Sequence, residues 1–300
     1  MGISQYLKEI GRGKQGARPL DRAQAADLFG QVLDGSAGDL EVGAFCIAMR
    51  IKGETTEEMA GFLDATAARL RRVPVAATAV VLPSYNGARR LPVLTPLLAL
   101  LLAREGVPVV MHGTATEEGR VGVPQVLEAL GRPALTALRP VAAGETVFVP
   151  TELLCPGLKR LLDVRRAVGL RNSAHSLVKL MNPCDRAAVV VGSYTHPEYA
   201  VSMGEVFERM GSTALLIRGT EGEAVADARR LPQMTGFVRG ARVVLEEGQK
   251  GTVPATAVLP QGTDPATTAA FIGEVLDGTR PVPASLALQV EHILRLVRQA

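Results

Sequence analysis

The sequence predicts an α/β protein with a small N-terminal helical domain and a larger α/β domain built on a mainly parallel central sheet. Three observations support this prediction. Residues 1–72 place apolar side chains at helical spacing, residues 79–111 read as one strand–helix–strand unit, and strand-like and helical segments alternate from there onward. Because parallel neighbours are joined by crossovers that are usually helices, this alternation indicates a mainly parallel sheet.

The N-terminal helical domain is assigned to residues 1–72. Asp21, Asp39 and Thr55 each precede an apolar stripe and are expected to act as N-caps, and Thr55 forms a capping-box pattern with Glu58. Three short amphipathic helices need a surface to cover their apolar faces. Either the rest of the chain or a second copy of the protein would supply it.

The α/β domain is assigned to residues 73–300. Its predicted strands are residues 79–82, 107–111, 146–149, 187–191, 213–217, 241–245 and 254–258. Its predicted helices are residues 97–104 (with Thr95 as N-cap), 124–130, 156–164, 197–210, 265–276 and 284–299, several of them opened by a proline. A helical insertion near residues 156–183 is expected to pack on the N-terminal domain.

Composition restricts the class of protein. The chain has 300 residues and a net charge of +3, which by itself does not argue for nucleic-acid binding. Cys46, Cys155 and Cys184 are far apart in sequence and are expected to be reduced thiols. The first residues lack a signal-peptide core, and the longest apolar run, residues 91–103, is too short to cross a bilayer. We therefore expect a cytoplasmic protein with no membrane partner.

Ligands of parallel sheets bind beyond the carboxyl ends of the strands, here the loop at residues 83–92 and the turn after Met111. A phosphate-binding loop should be rich in glycine, because the backbone must approach the anion closely. This loop instead has one glycine and two arginines, Arg89 and Arg90. His112 ends the next strand, where a ligand contact and a structural role are both open.

Basic side chains cluster in a few segments, several of which should converge on one end of the sheet. The candidates for nucleic-acid or anion binding are Arg89, Arg90, His112, Arg165, Arg166, Arg171, His175, Lys179 and Arg218. Long cationic side chains suit phosphate contacts, and arginine can bind phosphate in a bidentate manner. The alternative is a set of solvated arginines paired with acidic residues, and for His175 a hydrogen-bonded position in a helix.

No catalytic residue is assigned. The sequence has no HExxH motif, Walker loop, Rossmann fingerprint or G-x-S-x-G elbow. Glu221 and Glu223 follow a predicted strand and are weak candidates for a Mg²⁺ site, the alternative being a solvated loop. His196 is expected to cap a helix, and His292 to lie on the surface.

Several segments together resemble the anthranilate phosphoribosyltransferase family over nearly the whole chain. They are VGAF at 42–45, MRIKGET at 49–55, EMAG at 58–61, VGVPQVLEALG at 121–131, RRAVGLRN at 165–172 and LMNP at 180–183. The resemblance implies a nucleoside phosphorylase or phosphoribosyltransferase-like fold, in which a small helical domain is joined to a larger α/β domain. It also implies dimerisation through the helical domain.

The family transfers phosphoribose from PRPP to anthranilate with Mg²⁺, and its PRPP loop reads Gly-Thr-Gly-Gly-Asp followed by Asn-x-Ser-Thr. Residues 83–96 are the corresponding stretch here, and they replace the motif's glycines and aspartate while Thr95 keeps a hydroxyl. Side chains such as Tyr85, Asn86 and Arg89 should crowd a pyrophosphate that needs close backbone N–H donors. Normal PRPP transfer is therefore not expected.

Other family motifs are altered as well. The Lys-His-Gly-Asn-Arg motif corresponds to residues 111–115, which keep the histidine and glycine but lose both cationic ends. The Asp-Glu pair that holds Mg²⁺ is reduced to Glu221 and Glu223. Arg165 matches the arginine that faces anthranilate in the family.

The segments at 170–180 and 218–223 are most similar to the paralogous YbiB-like branch, which shares the fold and is described as nucleic-acid-binding. The first hypothesis is thus a homodimer that binds nucleic acid, DNA in particular, with weak sequence selectivity and no cofactor. The alternative is a glycosyl- or phosphoribosyltransferase with an altered donor or acceptor, which would use PRPP and Mg²⁺. A third hypothesis is an inactive sensor that holds an anion with Arg89, Arg90 and Arg165.

Overall fold

The computed structural model describes residues 2–13, 15–251 and 259–300. The strand predicted at residues 254–258 lies outside the described residues. The chain divides into two compact units, which are described separately. The helical unit comprises Met1–Arg71 and Thr151–Pro183, and the α/β unit comprises Arg72–Pro150 and Cys184–Ala300.

The secondary structure alternates as expected for an α/β chain with a helical front. The helices are α1 (Ser4–Ile10), α2 (Arg22–Asp34), α3 (Asp39–Lys52), α4 (Thr56–Ala67), α5 (Thr95–Arg104), α6 (Val123–Ala129), α7 (Thr151–Leu154), α8 (Pro156–Val168), α9 (Ala174–Leu177), α10 (Pro197–Arg209), α11 (Pro265–Leu276) and α12 (Ala284–Val297). The strands are β1 (Ala79–Ser84), β2 (Val109–Gly113), β3 (Thr146–Pro150), β4 (Ala188–Tyr194), β5 (Ala214–Arg218), β6 (Met234–Val238) and β7 (Ala241–Glu246), and one 3₁₀ turn spans Thr220–Gly222.

Local capping chemistry sets the helix starts of the helical unit. Asp21 accepts from the backbone N–H of Gln24, and Thr55 accepts from that of Glu58, so two of the three predicted N-caps are present. At α3 the N-cap is Gly38, and Asp39 is the first helical residue. The α1 helix carries no recognisable cap or extended stripe and was not predicted.

The core of the helical unit is aromatic. Phe29 stacks on Phe62 with ring centroids 4.6 Å apart, and Phe45 meets both rings edge-on. Glu58 is fully buried, where its carboxylate accepts from the backbone N–H of Leu20 and from the ammonium of Lys52. These long-range contacts tie the segment before α2 to the start of α4.

The α/β unit is built on a seven-stranded sheet in the order β3-β2-β1-β4-β5-β6-β7. The first five strands pair in parallel and the last two are antiparallel, which confirms the predicted mainly parallel sheet. Strand β6 was not predicted. It forms a hairpin with β7 through Arg239 and Gly240, both of which have positive φ. An Asn-Gly pair would have been a clearer sequence signal for this turn.

Three predictions about single residues are wrong, and the N-cap role of Asp39 at α3 is one of them. Helix α5 begins at Thr95 with Leu94 as its N-cap residue, so Thr95 does not cap it. His292 is 8% exposed and not on the surface, because its side of α12 packs inward, and its Nε2 lies 3.8 Å from a carboxylate oxygen of Glu246. His196 does occupy an N-cap position, at α10, but makes no side-chain capping bond.

The topology fixes where a site can form. β1 has β2 on one side and β4 on the other, so the chain reverses its direction of winding between β1 and β4. The carboxyl ends of β1, β4 and β5 therefore bring together Ser84, Tyr194 and Arg218 with the loops that follow them. Among the described helices, none is long and apolar enough to cross a membrane.

Candidate functional site

The loop after β1 is anchored by a buried glutamate from the segment after β5. The Glu223 carboxylate is 1% exposed, and its Oε1 accepts from the backbone N–H groups of Asn86 at 2.9 Å and Gly87 at 2.8 Å. The hydroxyl of Thr95 donates to its other oxygen at 3.5 Å. A single carboxylate thus binds the loop and the first residue of α5.

Glu221 binds the second half of the same loop. Its Oε2 accepts from the backbone N–H groups of Arg89 at 2.9 Å, Arg90 at 3.0 Å and Leu91 at 3.2 Å. The residue itself has φ of +52°, an uncommon conformation for a side-chain-bearing residue. The loop contacts hold it there. We call Glu221 and Glu223 the glutamate clamp.

The residue between the two clamp carboxylates must be glycine. Gly222 has φ of +91°, and a Cβ atom built there would lie 1.9 Å from the amide nitrogen of Asn86. That amide donates to the carbonyl of Glu221 at 3.2 Å, and the carbonyl of Gly222 accepts from Ser193 at 2.8 Å. The Glu-Gly-Glu sequence is therefore fitted to the loop on one side and to β4 on the other.

The glutamate clamp changes which anion the backbone N–H groups of this strand-end loop bind. Successive backbone N–H groups form a concave site for anions, and in this chain the anions that fill it are internal carboxylates. The side chains of Arg89 and Arg90 are exposed, and no ion pair involves them among the described residues. The loop thus directs its backbone donors inward and presents two cationic side chains to solvent.

His112 is buried beneath this loop. Its Nδ1 lies 2.8 Å from the hydroxyl of Tyr85, and its Nε2 has no hydrogen-bond partner among the described residues. Burial lowers the pKa of His112 to about 3, so the ring is neutral near pH 7. Tyr85 is likewise buried. His112 therefore supports the loop from below and adds no positive charge to the surface.

A cleft of about 690 Å³ opens beside the clamp, beyond the ends of β4 and β5. We call it the basic cleft; its lining includes Tyr194, Thr195, Arg218, Glu221, Asp227, Arg229, Arg230, Gln233, Glu247, Gln249 and Lys250. Asp227 pairs with Arg229 at 2.8 Å, and this contact holds the pKa of Asp227 below its usual value although burial opposes the shift. Arg218, Arg230 and Lys250 have no ion pair within the described ranges.

The structure divides the predicted basic residues between the two units. Arg89, Arg90, His112 and Arg218 belong to the α/β unit, and its topology brings them to the carboxyl end of the sheet. The other candidates, in the helical unit, are Arg165, Arg166, Arg171, His175 and Lys179.

Within the helical unit, the basic candidates differ in exposure. Arg166 is exposed at the end of α8, 3.8 Å from Asp163. Arg165 and Arg171 are half-buried. His175 and Lys179 are buried, and His175 Nδ1 lies within 3.3 Å of Asn172.

Two kinds of site residue escaped the sequence analysis. Tyr194 and Lys250 are not among the predicted site residues, because they and Arg230 come from separate segments that meet only in the fold. The anchoring role of Glu223 was also missed, although its position two residues after Glu221 was noted. Its partner Asn86 is 137 positions away in the sequence.

Comparison with known proteins places this fold. Residues 4–69 match the glycosyl transferase family, helical bundle domain. The uncharacterized protein YbiB of Escherichia coli (strain K12) is 42% identical over 97% of this chain and 92% of its own length. Anthranilate phosphoribosyltransferase of Salinispora arenicola is 31% identical over 93% of this chain and 81% of its length. The chain belongs to the anthranilate phosphoribosyltransferase-like family, which includes YbiB.

Solved structures of this family share the fold. Anthranilate phosphoribosyltransferase from Thermus thermophilus aligns with a TM-score of 0.73 at 22% identity, covering 97% of this chain and 93% of that one. The Saccharomyces cerevisiae enzyme in complex with PRPP and Mg aligns with a TM-score of 0.68 at 13% identity, covering 99% and 88%. The chain therefore has a transferase-like scaffold.

The residues of this family member at the loop do not fit PRPP with Mg²⁺. A pyrophosphate would need the N–H groups of Asn86, Gly87 and Arg89, and the glutamate clamp already accepts from all of them. A cation would need the clamp oxygens, which instead face partial positive charge from those N–H groups. The described residues also contain no group of three or more His, Cys, Asp or Glu side chains placed to hold a metal.

Proposed function

We propose that this chain binds nucleic acid, DNA in particular, as a homodimer with weak sequence selectivity, on a transferase-like scaffold whose PRPP loop is no longer used for transfer. The observation that supports the proposal is that the loop after β1 directs its backbone donors inward and its arginine side chains outward. Its N–H groups bind the glutamate clamp, whereas the guanidinium groups of Arg89 and Arg90 are exposed and without an acidic partner in the described part of the chain.

Exposed arginines on a rigid loop suit a phosphate backbone. Arg89 and Arg90 lie at the same edge of the sheet as Arg218 and Arg230, so several cations face solvent near one another. Phosphate contacts of this kind set affinity without reading bases, and they release counterions on binding. Binding should therefore weaken steeply with salt and depend little on sequence.

The helical unit supports the homodimeric part of the proposal. Leu40 is 92% exposed and Ile51 68% exposed, and both lie on α3. Ala44 and Ile47 lie between them at helical spacing, which makes a continuous apolar stripe. A second copy of α3 packing against this stripe would cover it and double the number of cationic surfaces that one nucleic acid can meet.

The test is a fluorescence-anisotropy titration of a labelled duplex at several salt concentrations. The proposal expects log affinity to fall linearly with log salt, and the double variant Arg89→Glu/Arg90→Glu to reduce the slope by about 2. Arg132→Glu is the control for a single charge reversal, half the change made by the double variant. It lies after α6, which returns the chain toward the amino end of β3, at the opposite end of the strands. Absence of duplex binding at low salt would contradict the proposal.

The second candidate is a transferase with an altered donor or acceptor, favoured by the shared scaffold. A thermal-shift titration with PRPP and Mg²⁺ separates the two. A ligand that binds the native state must raise the melting temperature. We expect no shift, because the loop N–H groups already bind the glutamate clamp. A saturable rise would favour the transferase and would contradict the assignment of these N–H groups to the clamp.

The cytoplasm remains the expected compartment, and Cys46, Cys155 and Cys184 are free thiols in the described structure.

A further inference from the structure

An aromatic side chain and a cation are paired at the rim of the basic cleft. Tyr194 ends β4 and lies directly opposite Arg218, which ends β5. Tyr194 is half-buried and Arg218 is exposed. Burial raises the pKa of Tyr194 while the positive charge of Arg218 opposes the shift, so the phenol is neutral and lies within the field of the guanidinium. No hydrogen bond to the phenol hydroxyl occurs within the described ranges.

Among the described residues that line the cleft, four side chains are basic and three are acidic. Glu221 directs its carboxylate to backbone N–H groups of the loop, and Asp227 is paired with Arg229. Arg218 and Arg230 have no ion pair among the described residues, although the charge of Arg230 also acts on Asp227, and the exposed Glu247 adds a negative charge to the lining. The cleft thus offers cations to an anion and, beside one of them, a phenol ring.

The size of the cleft and its chemistry suit a nucleotide. Its volume of about 690 Å³ lies within the range of small-molecule sites. Gln233 and Gln249 add amide groups to the lining, which can donate and accept hydrogen bonds. A base needs an aromatic face and polar edges, and a phosphate needs cations; all three are present within one cleft.

We propose that the basic cleft accepts one unpaired nucleotide of a bound nucleic acid, with the base against the ring of Tyr194 and its phosphate at Arg218 and Arg230. This inference rests on the proposed nucleic-acid binding and adds to it a preference for strands with an unpaired end. Stacking on one aromatic side chain tolerates any base, so the preference is for single-stranded structure and not for sequence.

The experiment compares a blunt duplex with the same duplex carrying a short single-stranded overhang, using fluorescence anisotropy at one salt concentration. The wild-type chain is expected to bind the overhang substrate about tenfold more tightly, the effect of one stacked base. Tyr194→Leu should abolish this difference and leave affinity for the blunt duplex unchanged, whereas Tyr194→Phe should keep it. Tyr199→Leu, on α10 and outside the cleft lining, is the matched control.

A second variant tests the same site in case Tyr194→Leu does not fold. Arg218→Gln, at an exposed position, should reduce the overhang preference without changing the melting temperature. AMP should compete for the overhang substrate more strongly than inorganic phosphate at equal concentration.

The outcomes separate the two proposals. Equal affinity for both substrates, with duplex binding still steeply salt-dependent, would overturn the nucleotide site and leave the proposed function standing. A preference that survives in Tyr194→Leu would also overturn the site. No binding of either substrate would overturn the proposed function and this inference together.

Discussion

Replacing Glu223 with alanine tests the glutamate clamp directly. The change removes the acceptor of the Asn86 and Gly87 N–H groups, both in buried residues. An orphaned buried donor costs about 1–3 kcal/mol, so two should lower the free energy of unfolding by about 3 kcal/mol. That corresponds to a fall in melting temperature of about 6–12 °C, measured by differential scanning calorimetry and checked by urea denaturation.

Two further variants fix the interpretation. Glu223→Gln keeps a neutral acceptor oxygen and should cost roughly half as much, about 1–2 kcal/mol, because the bonds to a charged acceptor are the stronger ones. Glu247→Ala removes an exposed carboxylate from the lining of the basic cleft and should change stability by less than about 0.5 kcal/mol. A Glu223→Ala variant that melts together with the Glu247→Ala control would refute the clamp.

The same variant makes a prediction about anions. With the carboxylate gone, the N–H groups of Asn86 and Gly87 are free to bind an external anion. Pyrophosphate should therefore raise the melting temperature of Glu223→Ala more than that of the wild-type chain. An equal effect on both proteins would mean that the anion binds elsewhere, for example at the exposed arginines.

Three other predictions follow from single features of the two units. Glu58→Ala leaves the buried ammonium of Lys52 without its carboxylate and should destabilise the chain by about 3–5 kcal/mol in urea titrations. If the proposed homodimer forms through α3, the wild-type chain has the mass of a dimer in light scattering and Leu40→Glu with Ile51→Glu has that of a monomer, while melting changes little; a dimer that persists in the variant would contradict this interface. His112 should make the chain acid-sensitive. Its folded pKa of about 3 lies below the 6.5 of the free side chain, so the unfolded state binds more protons between these values. Stability should fall by about 1.4 kcal/mol for each pH unit below 6.5, and His112→Gln should reduce that slope in pH-dependent melting curves.

Features set by neighbouring residues were predictable from the sequence. The caps at Asp21 and Thr55 depend on side chains three positions away, and both are present. The parallel sheet followed from the alternation of strands and helices. Strand β6 was not predicted, because Met234–Val238 is short, contains a glycine and is stabilised by pairing with β5 and β7. Its existence depends on partners that a local pattern does not reveal.

The site was predictable only in part, for the same reason. Arg89, Arg90 and Arg218 were identified from their positions after strands, and the fold brings them to one edge of the sheet. The burial of His112 could not be read from its place at a strand end, since that depends on the Tyr85 ring above it. The role of Glu223 depends on a loop far away in the sequence, so the pair could only be noted as two acids with a metal as one possible partner.

The clamp explains how a loop with a single glycine can fold at the end of β1. A glycine-rich loop leaves its N–H groups unsatisfied until an anion binds, and small residues let that anion approach. Here Glu221 and Glu223 satisfy those groups permanently, so bulky residues such as Tyr85 and Arg89 no longer obstruct a ligand. The loop is then free to carry charge outward. Its arginines add positive charge to a surface whose backbone donors already bind carboxylates, and this is the charge pattern that the proposed binding of an extended polyanion requires.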